Sequence, residues 1–256
     1  MGELRLLLGS SGTGKTYRAV SILKEHLRRK EEQKVLLLVS SKAHRNRIKD
    51  MVLEDISCYY SLPVYTFNGF SAEVIKRNER AVRTVSDIYR QILLEKIVDE
   101  NVLEYYEEVK TFPGFTSALI SFMDELKQGL IKPDEFLESF KKIKNLLPAE
   151  FNAKYEDLFF LYDAYQNNLK KFSLKDNADL AAEAVELIAG NPAVFPDVEE
   201  LIIDGFYEFT PVQWKMIKLL KSFVSKTTIT LSVDEEKPHL FQVQMETLEK
   251  LKEMEY

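Results

Sequence analysis

The segment from Gly9 to Thr16 has residue types that suit the binding of a phosphate chain. Glycines let the backbone turn so that successive N–H groups point inward at an anion. Lys15 can reach the β- and γ-phosphates of a nucleotide, and the hydroxyl of Thr16 can coordinate Mg²⁺. The pattern Gly-x-x-x-x-Gly-Lys-Thr therefore predicts a site for ATP and Mg²⁺, formed by Gly9, Ser10, Ser11, Gly12, Thr13, Gly14, Lys15 and Thr16.

A carboxylate is expected at the end of a buried strand, where P-loop proteins hold Mg²⁺ through water. Asp204 follows the apolar run Leu201–Ile203 and is the candidate for this second magnesium ligand beside Thr16. Many P-loop motors place next to it a glutamate that positions the attacking water, but this chain has Gly205. Glycine has no side chain to orient water, so we expect ATP binding with weak or absent hydrolysis and name no catalytic residue.

Hydrophobic periodicity predicts the elements that position these residues. Short apolar runs indicate strands, and amphipathic stretches between them indicate helices. The strand–helix alternation predicts an α/β fold with a parallel sheet that is covered by helices on both faces. The predicted strands are Leu4–Leu8, which we expect to be fully buried, Val35–Val39, Leu62–Phe67, Glu200–Asp204 and Thr227–Val233. Thr210 and Pro211 predict the start of a helix, as N-cap and first helical residue.

The middle of the chain has a different sequence pattern, which is typical of helices. From about residue 82 to residue 188 it consists of long amphipathic segments, and glycine occurs there only at Gly114 and Gly129. We therefore predict an all-helical insert, with a size near that of a common domain. The predicted organisation is a sheet domain in two parts, residues 1–81 and 193–256, that flank a helical subdomain at residues 82–192.

The composition is that of a folded, water-soluble protein. Of the 256 residues, 45% are hydrophobic and 30% are charged. The formal net charge is −6, so the chain lacks the overall positive charge that is typical of nucleic-acid-binding domains. Cys58 is the single cysteine, which excludes a disulfide framework and a cysteine-based metal cluster. The first apolar run is too short for a signal peptide or a membrane span, so we expect a cytoplasmic protein with no membrane partner.

Taken together, these motifs resemble the first motor domain of superfamily 1 UvrD-like helicases. They are more closely similar to the N-terminal part of AddB-type subunits of the bacterial AddAB helicase–nucleases. The likeness spans nearly the whole chain and is carried by the phosphate loop near the N-terminus and by three further stretches, Val39–Ala43, Thr66–Phe70 and Ile203–Pro211. It implies that the sheet domain is RecA-like and that the helical insert corresponds to subdomain 1B.

The resemblance also implies further site residues. Gln213 keeps the family's spacing after Asp204 and would lie near the γ-phosphate. Hydroxyl groups can grip phosphates and aromatic rings can stack on bases, and the matching positions for DNA contacts are Ser40, Ser41, Lys42, Thr66, Phe67 and Asn68. For Phe67 a place in the core is the alternative interpretation. The family's third motif is not evident at Leu231–Asp234, and its second motor and nuclease domains are absent from these residues.

Three functions remain open at this point. The first is the ATP-binding N-terminal motor domain of an AddB-like subunit that acts in DNA double-strand break repair and recombination. Its partners would be single-stranded or unwinding double-stranded DNA and an AddA-like subunit in a heterodimer. The second is an active P-loop ATPase or small-molecule kinase, which Gly205 argues against. The third is a regulatory module whose ATP site stabilises the fold while the helical insert binds a partner.

Overall fold

The computed structural model describes residues 2–78, 83–191, 195, 197–234 and 238–254. The chain divides into two units, of which one joins Met1–Arg80 to Glu183–Tyr256 and the other is Ala81–Ala182. The boundaries expected from the sequence, at 81/82 and 192/193, fall on positions outside the described residues. The assignment of the middle segment as an inserted subdomain therefore stays a prediction.

The first unit contains a five-stranded sheet, and every pair of neighbouring strands in it is parallel. The strands are β1 (Glu3–Gly9), β2 (Val35–Val39), β3 (Val64–Thr66), β4 (Glu200–Phe206) and β5 (Lys226–Ser232). Their order across the sheet is β1-β5-β4-β2-β3, so β5 lies between the strand before the Gly9–Thr16 loop and the strand that carries Asp204. Because all strands run the same way, their carboxyl ends meet at one edge of the sheet. The expected α/β class with a parallel sheet is confirmed.

Ten α-helices occur in the described residues. They are α1 (Lys15–Arg28), α2 (Lys42–Leu53), α3 (Phe67–Arg77), α4 (Asp87–Asp99), α5 (Phe115–Gln128), α6 (Pro133–Ile143), α7 (Ala149–Lys171), α8 (Asn177–Gly190), α9 (Pro211–Phe223) and α10 (Gln242–Glu253). The predicted helix start at Thr210 and Pro211 is confirmed, since Thr210 is the N-cap of α9. Within the described ranges, no helix is both long enough and apolar enough to cross a membrane.

Strand β2 is buried along its whole length because helices cover both of its faces. Side chains alternate between the two faces of a strand, and the odd-numbered residues of β2 share one buried cluster with residues of α1 and α2. The even-numbered Leu36 is turned to the other face, where it lines a small cavity together with Leu220 of α9. A continuous apolar run is what such a doubly covered parallel strand requires.

Strand β1 does not match the expectation of a fully buried strand. Within the described residues it pairs with β5 alone, which places it at an edge of the sheet. Leu4 is buried, but Leu8 is 39% exposed. Leu6 packs against a buried cluster that contains Leu231 and Leu248. The apolar run predicted the strand but could not distinguish an edge position from a central one, because burial depends on the neighbouring strands.

The second unit is built from α4 to α7 together with the beginning of α8. Its core contains the fully buried Met123 and Leu161. Beside them lies a buried polar network, in which Lys127 forms ion pairs with Asp176 and with Asp179, the latter at 2.8 Å. Burial alone would raise the pKa of Asp176, but the charge and hydrogen bond of Lys127 outweigh burial and hold this pKa below its ordinary value.

Candidate functional site

The loop between β1 and α1 has a backbone that only glycine adopts easily at several positions. Gly9, Gly12 and Gly14 have φ angles of 155°, 82° and 85°. A Cβ on Gly9 would also lie 2.8 Å from Oγ1 of Thr13, which is too close for two non-bonded atoms. The glycines of the motif are therefore required by the shape of the loop, and α1 begins directly after it with its positive end toward the loop.

Lys15 is folded back over this loop. Its Nζ donates hydrogen bonds to the carbonyl oxygens of Gly9 at 2.8 Å and Ser10 at 2.7 Å. Partial burial lowers the pKa of Lys15, and the charge of Asp204 offsets part of that effect. The ammonium group therefore lies beside the loop that the motif predicts to hold phosphate, in contact with backbone oxygens.

Asp204 is held at the same edge of the sheet by the register of β4. It is the Cα partner of Val39, the last residue of β2. Its side chain is 1% exposed, and Oδ1 accepts hydrogen bonds from the hydroxyl of Thr16 at 3.3 Å and from the hydroxyl of Thr230 on β5. The two residues proposed from the sequence as magnesium ligands thus lie next to each other, although 188 positions separate them in the chain.

The other oxygen of Asp204 faces His44, in the first turn of α2. Nε2 of His44 lies 3.0 Å from Oδ2, and this buried oxygen has no hydrogen bond of regular geometry among the described residues. Burial alone would raise the pKa of Asp204, whereas the polar contacts from His44, Thr230 and Thr16 lower it, and the pKa lies below its ordinary value. The carboxylate is therefore kept ionised.

These groups are the right kind to hold a magnesium ion with a polyphosphate. Mg²⁺ in proteins usually takes one or two side-chain oxygen ligands and completes its shell with water and phosphate. Thr16 and the buried, ionised Asp204, whose Oδ1 lies beside the Thr16 hydroxyl, provide such a pair. Among the described residues there is no cluster of three or more His, Cys, Asp or Glu side chains that could hold a metal without a phosphate ligand.

Gln213 has a local role in the structure. Its Oε1 accepts a hydrogen bond from the backbone N–H of Thr210 at 3.1 Å, which caps the amino end of α9. The carbonyl of this side chain is thus engaged with its own helix. The role near the γ-phosphate that the family resemblance implies for Gln213 stays a prediction.

The loop after β2 contains three of the residues expected to contact DNA. Ser40 and Lys42 are exposed at the carboxyl edge of the sheet. Ser41 is the N-cap of α2, and its Oγ accepts a hydrogen bond from the backbone N–H of His44 at 3.1 Å. Its hydroxyl is therefore already used to start the helix, whereas the side chains of Ser40 and Lys42 are accessible from solvent.

The other three residues expected to contact DNA lie at the end of β3 and the start of α3. Thr66 caps α3 by accepting a hydrogen bond from the backbone N–H of Gly69 at 3.1 Å, and Asn68 is exposed. Phe67 is 5% exposed, and its ring lies edge-on against Phe206 with centroids 5.3 Å apart. The expectation that Phe67 stacks on a base is therefore wrong for this structure, because its ring is packed in the protein core. The alternative interpretation of a core residue holds.

Two residues of the site were missed in the sequence, His44 and Thr230. Thr230 lies on β5, and His44 lies in α2, the helix that follows β2. Both β5 and β2 neighbour β4 in the sheet, but neither is next to it in the sequence around Asp204. A weak signal was present for Thr230, since a hydroxyl near the end of an apolar strand suits the carboxyl edge of a parallel sheet. His44 has no comparable signal, because its place beside Asp204 depends on β2 lying next to β4.

Comparison with known proteins gives consistent matches over almost the whole chain. The sequence profile of the family described as "ADDB, N-terminal" matches residues 6–255. A protein of Alkaliphilus metalliredigens, named as the B subunit of an ATP-dependent helicase/deoxyribonuclease, is 27% identical over 97% of this chain and 22% of its own length. The proteins of the same name from Alkaliphilus oremlandii, 27% identical, and Caldanaerobacter subterraneus, 26% identical, match over the same shares. The chain thus spans about a fifth of the length of these curated relatives.

Proposed function

This chain belongs to the family described as ADDB, N-terminal, and on that premise we propose that it is the ATP-binding motor domain of an AddB-like helicase/nuclease subunit. The relatives are named as the B subunit of an ATP-dependent helicase/deoxyribonuclease. We extend to this chain a role in DNA double-strand break repair and recombination, with single-stranded or unwinding double-stranded DNA as substrate and an AddA-like subunit as partner. A RecA-like motor fold with a 1B-like insert and a cytoplasmic location belong to the same proposal.

One observation carries the nucleotide part of the proposal: Lys15, Thr16 and Asp204 converge at the carboxyl edge of a parallel sheet. Lys15 leaves its carbonyl partners to bind the β- and γ-phosphates, and the loop N–H groups and the amino end of α1 hold the remaining charge. Thr16 and Asp204 would hold Mg²⁺, which would neutralise the negative charge on the phosphate oxygens. Ligands are expected at this edge of open parallel sheets.

The proposed site binds ATP and hydrolyses it weakly or not at all. Hydrolysis needs a group that orients water against the γ-phosphate, and Gly205 provides none. The remaining candidate is Gln213, whose carbonyl oxygen is engaged in the cap of α9. We therefore place this chain among nucleotide-binding partners rather than among active ATPases or small-molecule kinases.

The first experiment measures nucleotide binding to this chain by calorimetry with Mg·ATP. We expect Lys15→Ala to weaken binding by at least about tenfold, since hydrogen bonds to charged groups contribute about 1.5–3 kcal/mol. Arg28→Ala is the matched control, because Arg28 is a cation at the far end of the same helix and is exposed. Binding that is absent, or that Lys15→Ala leaves unchanged, overturns the proposal.

Turnover decides between a binding site and an active enzyme. A phosphate-release assay with and without DNA is expected to give rates far below about 1 s⁻¹, the lower end of ordinary enzyme turnover. Turnover near or above that rate would favour the alternative of an active P-loop ATPase or kinase.

DNA binding separates a repair subunit from a purely regulatory ATP-binding module. We propose the exposed Ser40, Lys42 and Asn68 as contacts to phosphates, with Ser41 and Thr66 shaping the two loops through their caps. Fluorescence anisotropy with a labelled single strand, with and without Mg·ATP, is the test. Lys42→Glu should weaken binding and reduce its salt dependence, because a phosphate contact is lost. The charge-matched control is Lys30→Glu, which changes an exposed lysine beyond the carboxyl end of α1.

A further inference from the structure

The residue after Asp204 is a glycine for a reason that the structure makes visible. Gly205 has a φ of +83°, a conformation that side chains rarely adopt. A Cβ placed on it would lie 2.4 Å from Cε1 and 2.5 Å from Nδ1 of His44. The imidazole ring of His44 therefore occupies the space into which a side chain at position 205 would project.

The backbone of His44 and both nitrogens of its imidazole have polar contacts. Its own backbone N–H is bound by the Ser41 cap of α2, and its Nδ1 lies 3.4 Å from Oγ of Ser40. Its Nε2 reaches Oδ2 of Asp204 at 3.0 Å. His44 has a side chain that is only 16% exposed, so its ring is fixed between the loop after β2 and the carboxylate.

The two oxygens of Asp204 consequently face different neighbours. Oδ1 accepts hydrogen bonds from the hydroxyl of Thr16 on the phosphate-loop side and from the hydroxyl of Thr230 on β5, and Oδ2 faces His44 on the β2 side. A carboxylate that rotates freely would present either oxygen toward Thr16. The hydrogen bond from Thr230 and the contact with His44 together restrict this rotation.

We propose that His44 is a positioning residue for the magnesium site, which contacts Oδ2 of Asp204 and so keeps Oδ1 directed at Thr16. This inference rests on the proposed function, because it assumes that Thr16 and Asp204 hold Mg²⁺ with the nucleotide. In this proposal the imidazole of His44, from α2, occupies the space that a side chain at position 205 would otherwise fill. Partners that orient a metal ligand typically contribute about 10- to 100-fold to metal affinity.

The test compares nucleotide affinity with and without the metal. Each variant is titrated with a fluorescent ATP analogue at one fixed pH, once in Mg²⁺ and once in EDTA, and the ratio of the two dissociation constants is the magnesium effect. A positioning role changes this ratio, whereas a merely structural role weakens both titrations equally. We expect His44→Ala to reduce the magnesium effect about tenfold. His44→Gln, which retains a donor at a similar reach, should restore most of it.

Gly205→Ala provides an independent check of the same contact. Its Cβ would push the ring of His44 away, so we expect this variant alone to reduce the magnesium effect as His44→Ala does. In the His44→Ala background, Gly205→Ala should reduce the ratio by less than it does alone, because the collision with the ring is gone and only the backbone strain at a φ of +83° remains. The matched control is His26→Ala. It removes another imidazole that lies 3.2 Å from a carboxylate of β4, on Glu200 at the opposite end of the strand.

The outcomes separate this inference from the proposed function. If nucleotide does not bind, or if Asp204→Asn leaves the magnesium effect intact, the nucleotide site as proposed is wrong and the role of His44 falls with it. If Asp204→Asn abolishes the magnesium effect while His44→Ala and His26→Ala both leave it unchanged, only the inference about His44 is overturned. A loss in His44→Ala that is equal in Mg²⁺ and EDTA also overturns it.

Discussion

Two threonines on β5 should respond in opposite ways to the same substitution. Thr230 donates a hydrogen bond to the buried carboxylate of Asp204, whereas the buried Oγ1 of Thr227 has no hydrogen-bond partner among the described residues. Valine replaces a threonine hydroxyl by a methyl group of similar size. Thr230→Val removes a hydrogen bond to a charged group and should cost about 1.5–3 kcal/mol. Thr227→Val removes a desolvated hydroxyl and should be neutral or stabilise by about 1 kcal/mol.

Thermal and urea unfolding of the two variants measure this difference. For a chain of this size about 1 kcal/mol shifts the melting temperature by about 2–4 °C, so the two variants should differ by about 3 °C or more. In an Asp204→Asn background the cost of Thr230→Val should shrink, because the acceptor is no longer charged. The reasoning is refuted if both variants shift the transition in the same direction by the same amount, or if the cost of Thr230→Val is undiminished in the Asn background.

Further predictions concern the cores of both units and the phosphate loop. Phe67→Ala should cost about 3–5 kcal/mol in urea unfolding because the ring is 5% exposed, and a loss under about 1 kcal/mol would instead indicate an accessible ring. Lys127→Met should cost about 3–5 kcal/mol by leaving Asp176 buried and unpaired, and adding Asp176→Asn should recover much of it in thermal unfolding. The lowered pKa of Asp176 stabilises the fold above its ordinary value of 3.8, and this contribution is lost as the pH falls through the lower folded pKa. Acid unfolding followed by circular dichroism should therefore be less steep for Asp176→Asn. Gly12→Ala should cost about 1–2 kcal/mol from its φ of 82° alone, since a Cβ there meets open space. A clearly larger loss in calorimetric unfolding would contradict that loop geometry.

The parts of the site that are contiguous in sequence could be predicted from it. The shape of the Gly9–Thr16 loop is determined by local backbone requirements, so the glycines and the following helix predict that shape without tertiary information. The start of α9 at Pro211 was likewise predictable from its N-cap. Val35–Val39 was predicted as a strand with the bounds that the structure has, and its continuous apolar run suits a strand that is buried along its whole length.

The parts that depend on sheet order could not be predicted. Periodicity shows that β5 exists but not that it lies between β1 and β4, so the hydroxyl of Thr230 beside Asp204 was not anticipated. His44 was missed for the same reason, since β2 and β4 are neighbours in space only. Phe67 illustrates the converse error, in which an aromatic residue at a strand end suited a binding surface but is enclosed by Phe206 and Phe209.

The pairing of β1 with β5 imposes an order on assembly. Glu3 is the Cα partner of Lys226, so synthesis must pass Lys226 before β1 can pair with β5. Closing so long a segment costs chain entropy before any contact is gained. A nascent chain that still lacks β5 therefore has a glycine-rich loop whose preceding strand is not yet held in the sheet. On the proposed function, ATP would bind only after the sheet is complete and would stabilise it by mass action.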